Sequence, residues 1–188
     1  MIKKAHYTWK DIEHMITSIN NLMFADGWRP DMIIGMTRGG LVPAVILSNM
    51  TGIKMYSLDV RFRDITEGYQ PESLTWAAHE AFVGGKNILI FDDINDTGKT
   101  LKWVKQDWET HGRNALPANE LKKPEDVWHK SVRFACLIDN GASEFDTLDY
   151  TALEINKSEE DVWIVFPWEG ERDYGCLLYT SDAADDLL

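Results

Sequence analysis

The chain has 188 residues, 44% apolar and 11% aromatic, enough to bury a core and to exclude wholesale disorder. Lysine and arginine number 19 against 31 aspartates and glutamates, and a net charge of −12 argues against a protein that wraps nucleic acid. Two cysteines, Cys136 and Cys176, make neither a disulfide framework nor a zinc site, and no apolar run approaches a membrane span, so the expectation is an acidic, soluble, cytoplasmic domain.

Thr8 to Met23 carries apolar residues at Trp9, Ile12, Met15, Ile16, Ile19, Leu22 and Met23, a helical repeat, with Thr8 and Asp11 spaced as a capping box. Trp28-Arg29-Pro30 should break it. Met32 to Met36 is a short continuous apolar run, as expected of a strand buried on both faces. Thr37-Arg38-Gly39-Gly40 leads into a second helix, Leu41 to Met50, with Pro43 in its first turn and Gly52 just past its end. Lys54 to Val60 reads as a strand, and the polar stretch Arg61 to Thr75, with Gly68 and Pro71, as a long loop of the functional kind.

Asn87 to Phe91 is a third strand, ending at Asp92-Asp93. A third helix, about Thr97 to His111, places Leu101, Val104 and Trp108 on one face and stops at Gly112. Arg113 to Lys130, with Pro117 and Pro124, reads as a surface insertion. Val132 to Ile138 and Leu148 to Ile155 are further strands, and Trp163 to Glu169 closes the interpretable sequence. Strands alternating with helices imply an α/β fold with a mainly parallel, doubly wound sheet and a ligand beyond the strands' carboxyl ends. The last thirteen residues, Cys176 to Leu188, resemble one reading frame of a sequencing adapter and are set aside as an artefactual tail.

The strongest chemical signal runs from Ile88 to Thr100. A buried strand delivers two adjacent carboxylates, and a turn of small, hydroxyl-bearing residues then opens a helix. Backbone N–H groups in such a turn form a concave anion site, and paired carboxylates can accept hydrogen bonds from a sugar diol and hold a magnesium ion. Gly98-Lys99-Thr100 also suggests a nucleoside-triphosphate P-loop. That motif needs a glycine five residues before its Gly-Lys pair, and Asp93 stands there instead.

These residues resemble the type I phosphoribosyltransferases, which bind 5-phosphoribosyl-1-pyrophosphate (PRPP). Ile33 to Pro43 is similar to that family's pyrophosphate loop, and Tyr7-Thr8-Trp9 with Trp163 to Glu169 is similar to its xanthine-guanine and hypoxanthine branch. The resemblance implies a single domain over 1–175, with a core of about 30–155 and a small hood from 1–29 and 156–175. It implies Mg²⁺-dependent transfer of a phosphoribosyl group from PRPP to a purine base, releasing pyrophosphate, by a cytoplasmic homo-oligomer, a dimer or tetramer, with no nucleic-acid or membrane partner.

By the same resemblance Asp92 and Asp93 bind the ribose hydroxyls, Asp93 contacts the metal, and Asp96 is a candidate proton acceptor beside the purine N7. These three carboxylates are the expected catalytic groups. Thr97, Gly98, Lys99 and Thr100 cradle the 5′-phosphate, while Arg38 and Gly39 grip pyrophosphate across a non-proline cis peptide at Thr37-Arg38. The 61–75 loop closes over the reaction. Asn140 falls where the purine enzymes carry a base-reading lysine. Asp139 beside it either faces the base, favouring an aminated acceptor, or caps a turn and leaves hypoxanthine or guanine preferred, and the second is the expectation. Trp163 and Ile164 match the base-packing segment. Two alternatives stay open: a PRPP-binding regulatory protein, and a transferase of the same fold acting on a non-purine acceptor.

Overall fold

Helix α1 (Trp9–Ala25) begins where Thr8 and Asp11 close the expected capping box: the Asp11 N–H donates to Thr8 Oγ1 at 3.2 Å and the Thr8 N–H to Asp11 Oδ2 at 2.8 Å. It stops short of Trp28, because Gly27 takes a left-handed φ of 65° that turns the chain. The computed structural model describes residues 3–60, 71, 73–114 and 122–169.

Strand β1 (Lys3–His6) precedes α1. Strand β2 (Met32–Met36) is buried throughout, as its unbroken apolar run requires, and α2 (Leu41–Thr51) ends at Gly52 with φ of 71°. After β3 (Lys54–Leu58), residues 61–70 and 72 of the expected loop lie outside the described residues. A helix unanticipated from sequence, α3 (Thr75–His79), continues as one π-helical turn, Glu80–Gly84. Its buried face is Ala77, Ala78, Ala81 and Phe82, small residues with little periodic signal.

Strand β4 (Ile88–Asn95) runs four residues beyond Phe91, so the two aspartates lie inside the strand instead of in the following turn. The extension is held by β5 (Val132–Asn140), whose Cys136, Ile138 and Asp139 pair with Asp92, Ile94 and Asn95. Helix α4 (Lys99–Asn114) runs through Gly112, which does not stop it. Strands β6 (Tyr150–Ile155) and β7 (Val162–Val165) follow.

Five strands form one wholly parallel sheet in the order β3-β2-β4-β5-β6. Alternation along each strand feeds two cores. Ile33, Leu89, Phe91, Ala135 and Leu137 face α1 and α2; Ile34, Ile90, Phe134 and the expected core thiol Cys136 face α3 and α4. Leu101, Val104 and Trp108 form the buried side of α4, as their spacing predicts. Strands β1 and β7 pair in parallel as a separate two-stranded sheet, bringing the two ends of the described chain together. Helix α1, expected within the hood, instead covers one face of the main sheet through Ile12, Ile16, Ile19 and Met23.

The supposed surface insertion is partly core. Within it α5 (Pro124–Val127) buries Val127 and presents Trp128, only 5% exposed, to Phe134 with ring centroids 5.5 Å apart and to the edge of Phe82 at 5.9 Å. Two prolines and seven charged residues between Arg113 and Lys130 hid that anchor in the sequence. Trp128→Ala should lower unfolding free energy by about 3–5 kcal/mol, the range for removing a large buried aromatic side chain, measured by urea titration.

Candidate active site

Strands β2 and β4 are neighbours, so the turns beyond their carboxyl ends meet. The Thr37–Arg38 peptide is cis, as the resemblance implied. Arg38 is exposed at the rim. A Cβ built on Gly39 would lie 1.6 Å from Asp93 Oδ2, and one on Gly40 would lie 2.5 Å from the Phe91 carbonyl oxygen and 2.7 Å from Asp92 Cα. The backbone of the 38–40 turn thus rests directly on the two carboxylates, and only glycine fits at 39 and 40.

The carboxylates are poorly solvated. Burial, and then the charge of Asp93, push Asp92 well above the usual carboxylate range. Burial pushes Asp93 up to about 6; the Ile94 N–H, donating to Asp93 Oδ1 at 2.8 Å, opposes the shift, and the Glu169 carboxylate adds to it. Glu169 lies just beyond β7, and its Oε2 accepts from the Phe166 N–H at 3.2 Å, so the C-terminal segment brings a further negative charge towards the dyad. Such a site favours a ligand that donates hydrogen bonds or carries a cation. Among the described residues no three histidine, cysteine or acidic side chains cluster as a metal cage. A cation here would take one or two carboxylates and keep its waters, which suits magnesium.

The turn 96–98 opens α4, with Thr97 and Lys99 exposed and Thr100 half-buried. Gly98 has φ of 79°, and its added Cβ would fall 2.5 Å from the Phe145 nitrogen and 2.7 Å from Ser143 Oγ. That glycine is required by the neighbouring 143–145 turn as well as by any anion at the helix start. Asn95 locks the same turn: its Nδ2 donates to Asp139 Oδ1 at 2.7 Å and to the Phe145 carbonyl at 2.8 Å, while its Oδ1 accepts from Ser143 Oγ at 2.8 Å.

The residues expected to read the base lie at the end of β5 and within β7. Asn140 is 5% exposed, and both ends of its amide are engaged: Nδ2 donates to the Asp96 carbonyl at 2.9 Å, and Oδ1 accepts the Ala142 and Lys157 N–H groups at 3.2 and 3.0 Å. It braces the turns with its amide oxygen and one of its two Nδ2 protons. Asp139 is half-buried, and its Oδ1 accepts from Asn95 Nδ2. Ile164 is 7% exposed and packs into the core, whereas Trp163, on the opposite face of β7, is 52% exposed and open to contact. Sequence reading missed Lys157, whose Nζ lies 2.8 Å from Asp96 Oδ1. It sits two residues past the end of β6, a strand-end position where parallel sheets place functional groups.

A glycine turn is pressed against an acid pair, and a helix-opening turn follows at the end of the same acid-bearing strand. The phosphoribosyl transferase domain family matches residues 1–174, and the chain belongs to that family. It is 31% identical over 179 residues to the xanthine-guanine phosphoribosyltransferase of Cereibacter sphaeroides, covering 92% of this chain and 90% of that one. A second xanthine-guanine phosphoribosyltransferase, from Gluconobacter oxydans, is 31% identical over 138 residues, 73% of this chain and 67% of that one. Among solved structures, a purine phosphoribosyltransferase from Pyrococcus horikoshii superposes with a TM-score of 0.62 at 28% identity, over 90% of this chain and 95% of that one.

The dyad makes a sign-specific pH prediction. A carboxyl whose folded pKa is raised to about 6 from 3.8 takes up a proton on folding within that window, so ligand-free stability should fall as pH rises through it. Asp93→Asn should remove that part of the slope, at most about 1.4 kcal/mol per pH unit, in urea titrations of wild type and variant compared between pH 4 and 7.

Proposed function

We propose that this phosphoribosyltransferase moves the 5-phosphoribosyl group of PRPP onto a ring nitrogen of a purine base, in purine salvage. The bond from the anomeric carbon to the pyrophosphate oxygen breaks, the bond to the base nitrogen forms, and pyrophosphate and a nucleoside monophosphate leave. The observation that carries this reading is the seating of the Gly39–Gly40 backbone on Asp92 and Asp93. It sets a turn able to grip a leaving pyrophosphate beside an acid pair able to hold the ribose diol. The names of the bacterial relatives, xanthine-guanine phosphoribosyltransferases, favour a purine acceptor.

Bond breaking ahead of bond making gives the ribose oxocarbenium character, so the protein's task is to hold and shield. Asp92 and Asp93 accept hydrogen bonds from the 2′- and 3′-hydroxyls and fix the sugar. Their desolvation strengthens those bonds, because an ionised acceptor away from water gains most from a donor. Arg38 and the backbone of Gly39 face the departing pyrophosphate; Thr97, Gly98, Lys99 and Thr100 bind the 5′-phosphate at the start of α4. Asp96 meets the base at its N7 and accepts its proton. A Mg²⁺ ion held through Asp93 would supply positive charge to the pyrophosphate oxygens. No side chain need act as a nucleophile.

Incubation with PRPP, Mg²⁺ and adenine, hypoxanthine, guanine or xanthine, followed by chromatography of the products, should show a nucleoside monophosphate and stoichiometric pyrophosphate. PRPP binding with no product from any base would point to the regulatory alternative. Gly39→Ala forces the Asp93 carboxylate aside while leaving strand packing intact. It should lower kcat/KM for PRPP about tenfold or more, a loss of about 1.4 kcal/mol of transition-state stabilisation, with an unchanged melting temperature.

A further inference from the structure

We propose that Asp59, at the exit from β3, is a positioning residue for this transfer: by accepting the Thr37 hydroxyl it holds the Arg38–Gly40 turn in the form that grips pyrophosphate. The inference rests on the phosphoribosyl transfer reading above and extends it to a residue that reading does not use.

Thr37 and Asp59 leave the sheet side by side, because Met36 pairs with Leu58 at the ends of β2 and β3. Two bonds tie Thr37 to the end of β3: its N–H donates to the Leu58 carbonyl at 3.0 Å, and its Oγ1 donates to Asp59 Oδ1 at 2.5 Å. A hydroxyl-to-carboxylate bond of that length is of the strong, charge-assisted kind. Asp59 makes a firm anchor. It is half-buried, and Leu58 and Val60 on either side of it are sunk in the core that faces α3 and α4. Its backbone is therefore fixed by packing, and its carboxylate reaches Thr37 from a rigid base.

The turn needs such an anchor. Gly39 and Gly40 are required because the dyad leaves no room for a side chain, yet two consecutive glycines give the backbone its greatest freedom. Contact with Asp92 and Asp93 limits how near the turn can come; it does not draw the turn in. The exit is held by α2, where the Leu41 N–H donates to the Arg38 carbonyl at 3.3 Å and the Val42 N–H to the Gly39 carbonyl at 3.2 Å. The entry is Thr37, and its side chain is held by Asp59. A carboxylate next to a turn that binds an anion opposes that anion by its charge, so the use of Asp59 lies in the bond it accepts. A small displacement of the turn would move Arg38 and the Gly39 backbone off the departing pyrophosphate, and such misplacement is costly to a transfer that depends on orientation.

Thr37→Val keeps the shape of the side chain and removes the donor; Asp59→Ala removes the acceptor. Each should weaken product inhibition by inorganic pyrophosphate about tenfold, the scale of one hydrogen bond to a charged group. Inhibition by the nucleoside monophosphate product, which fills the site without pyrophosphate, should stay as in the wild type. The double variant should be no worse than either single one, because both changes delete the same interaction. Asp59→Asn leaves an oxygen facing Thr37 and should restore most of the pyrophosphate inhibition. Thr37→Val carries the test if Asp59→Ala fails to fold. A merely structural role would weaken both products alike, and that result would overturn the proposal. Wild-type pyrophosphate inhibition in either folded single variant, additive losses in the double variant, or an asparagine variant as impaired as the alanine one would overturn it too. In each of these cases a wild-type enzyme that turns over a purine keeps its function reading and only the role of Asp59 falls. A wild-type enzyme that converts no purine removes the function reading and this inference with it.

Discussion

The rest of the site depends on a contact with no room in it: the backbone at Gly39 and Gly40 against the side chains and backbone of Asp92 and Asp93. Any side chain there would displace the dyad or the strand. The close approach requires β2 and β4 to be adjacent and parallel, with their carboxyl ends level, and the pairing of Met32 with Ile88 through Gly35 with Phe91 supplies that alignment. Gly35 belongs to the same constraint, since its Cβ would fall 2.8 Å from Ala44 Cβ and push α2 away from the sheet. A chain of glycines thus lets one helix, one strand and one acid pair share a small volume.

That arrangement costs stability in the ligand-free state. Two neighbouring carboxylates are partly withdrawn from water, and Glu169 brings a third charge of the same sign towards them. Nothing in the hydrophobic cores demands these groups; Cys136, opposite Asp92 on β5, is an ordinary buried thiol pushed up by its own burial and by the dyad's charge. Hydroxyl donors or a cation brought by a ligand would supply the favourable partners such a pair lacks. Local instability in the empty site is then the counterpart of binding strength, because the same desolvation that penalises an unpaired carboxylate strengthens its bonds once paired.

Two buried asparagines turn this local chemistry into a shaped crevice. Asn95 binds the end of β4 to the 143–145 turn, and Asn140 binds the Asp96 turn to the connection after β6. Each spends its amide on groups from segments distant in sequence, so each fixes where the turns around the crevice stand. In a tightly packed strand end the amide's bonding capacity is claimed by the protein first.

The sequence by itself determined the strands β2, β4 and β5, helices α1, α2 and α4, and the turns that follow β2 and β4. Continuous apolar runs, a Thr8–Asp11 capping box and the Asp92-to-Thr100 string are local signals whose meaning needs no knowledge of neighbours. It missed α3, whose buried face is mostly alanine, and it misjudged Trp128, whose burial depends on Phe82, Trp108 and Phe134 arriving from other elements. The length of β4 was likewise decided by pairing with β5, which draws two aspartates into a strand they would not form alone. Only the tertiary structure brought Lys157 to Asp96 across 61 positions of chain, because an ion pair between two strand ends is fixed by sheet order and register, and no local pattern records either.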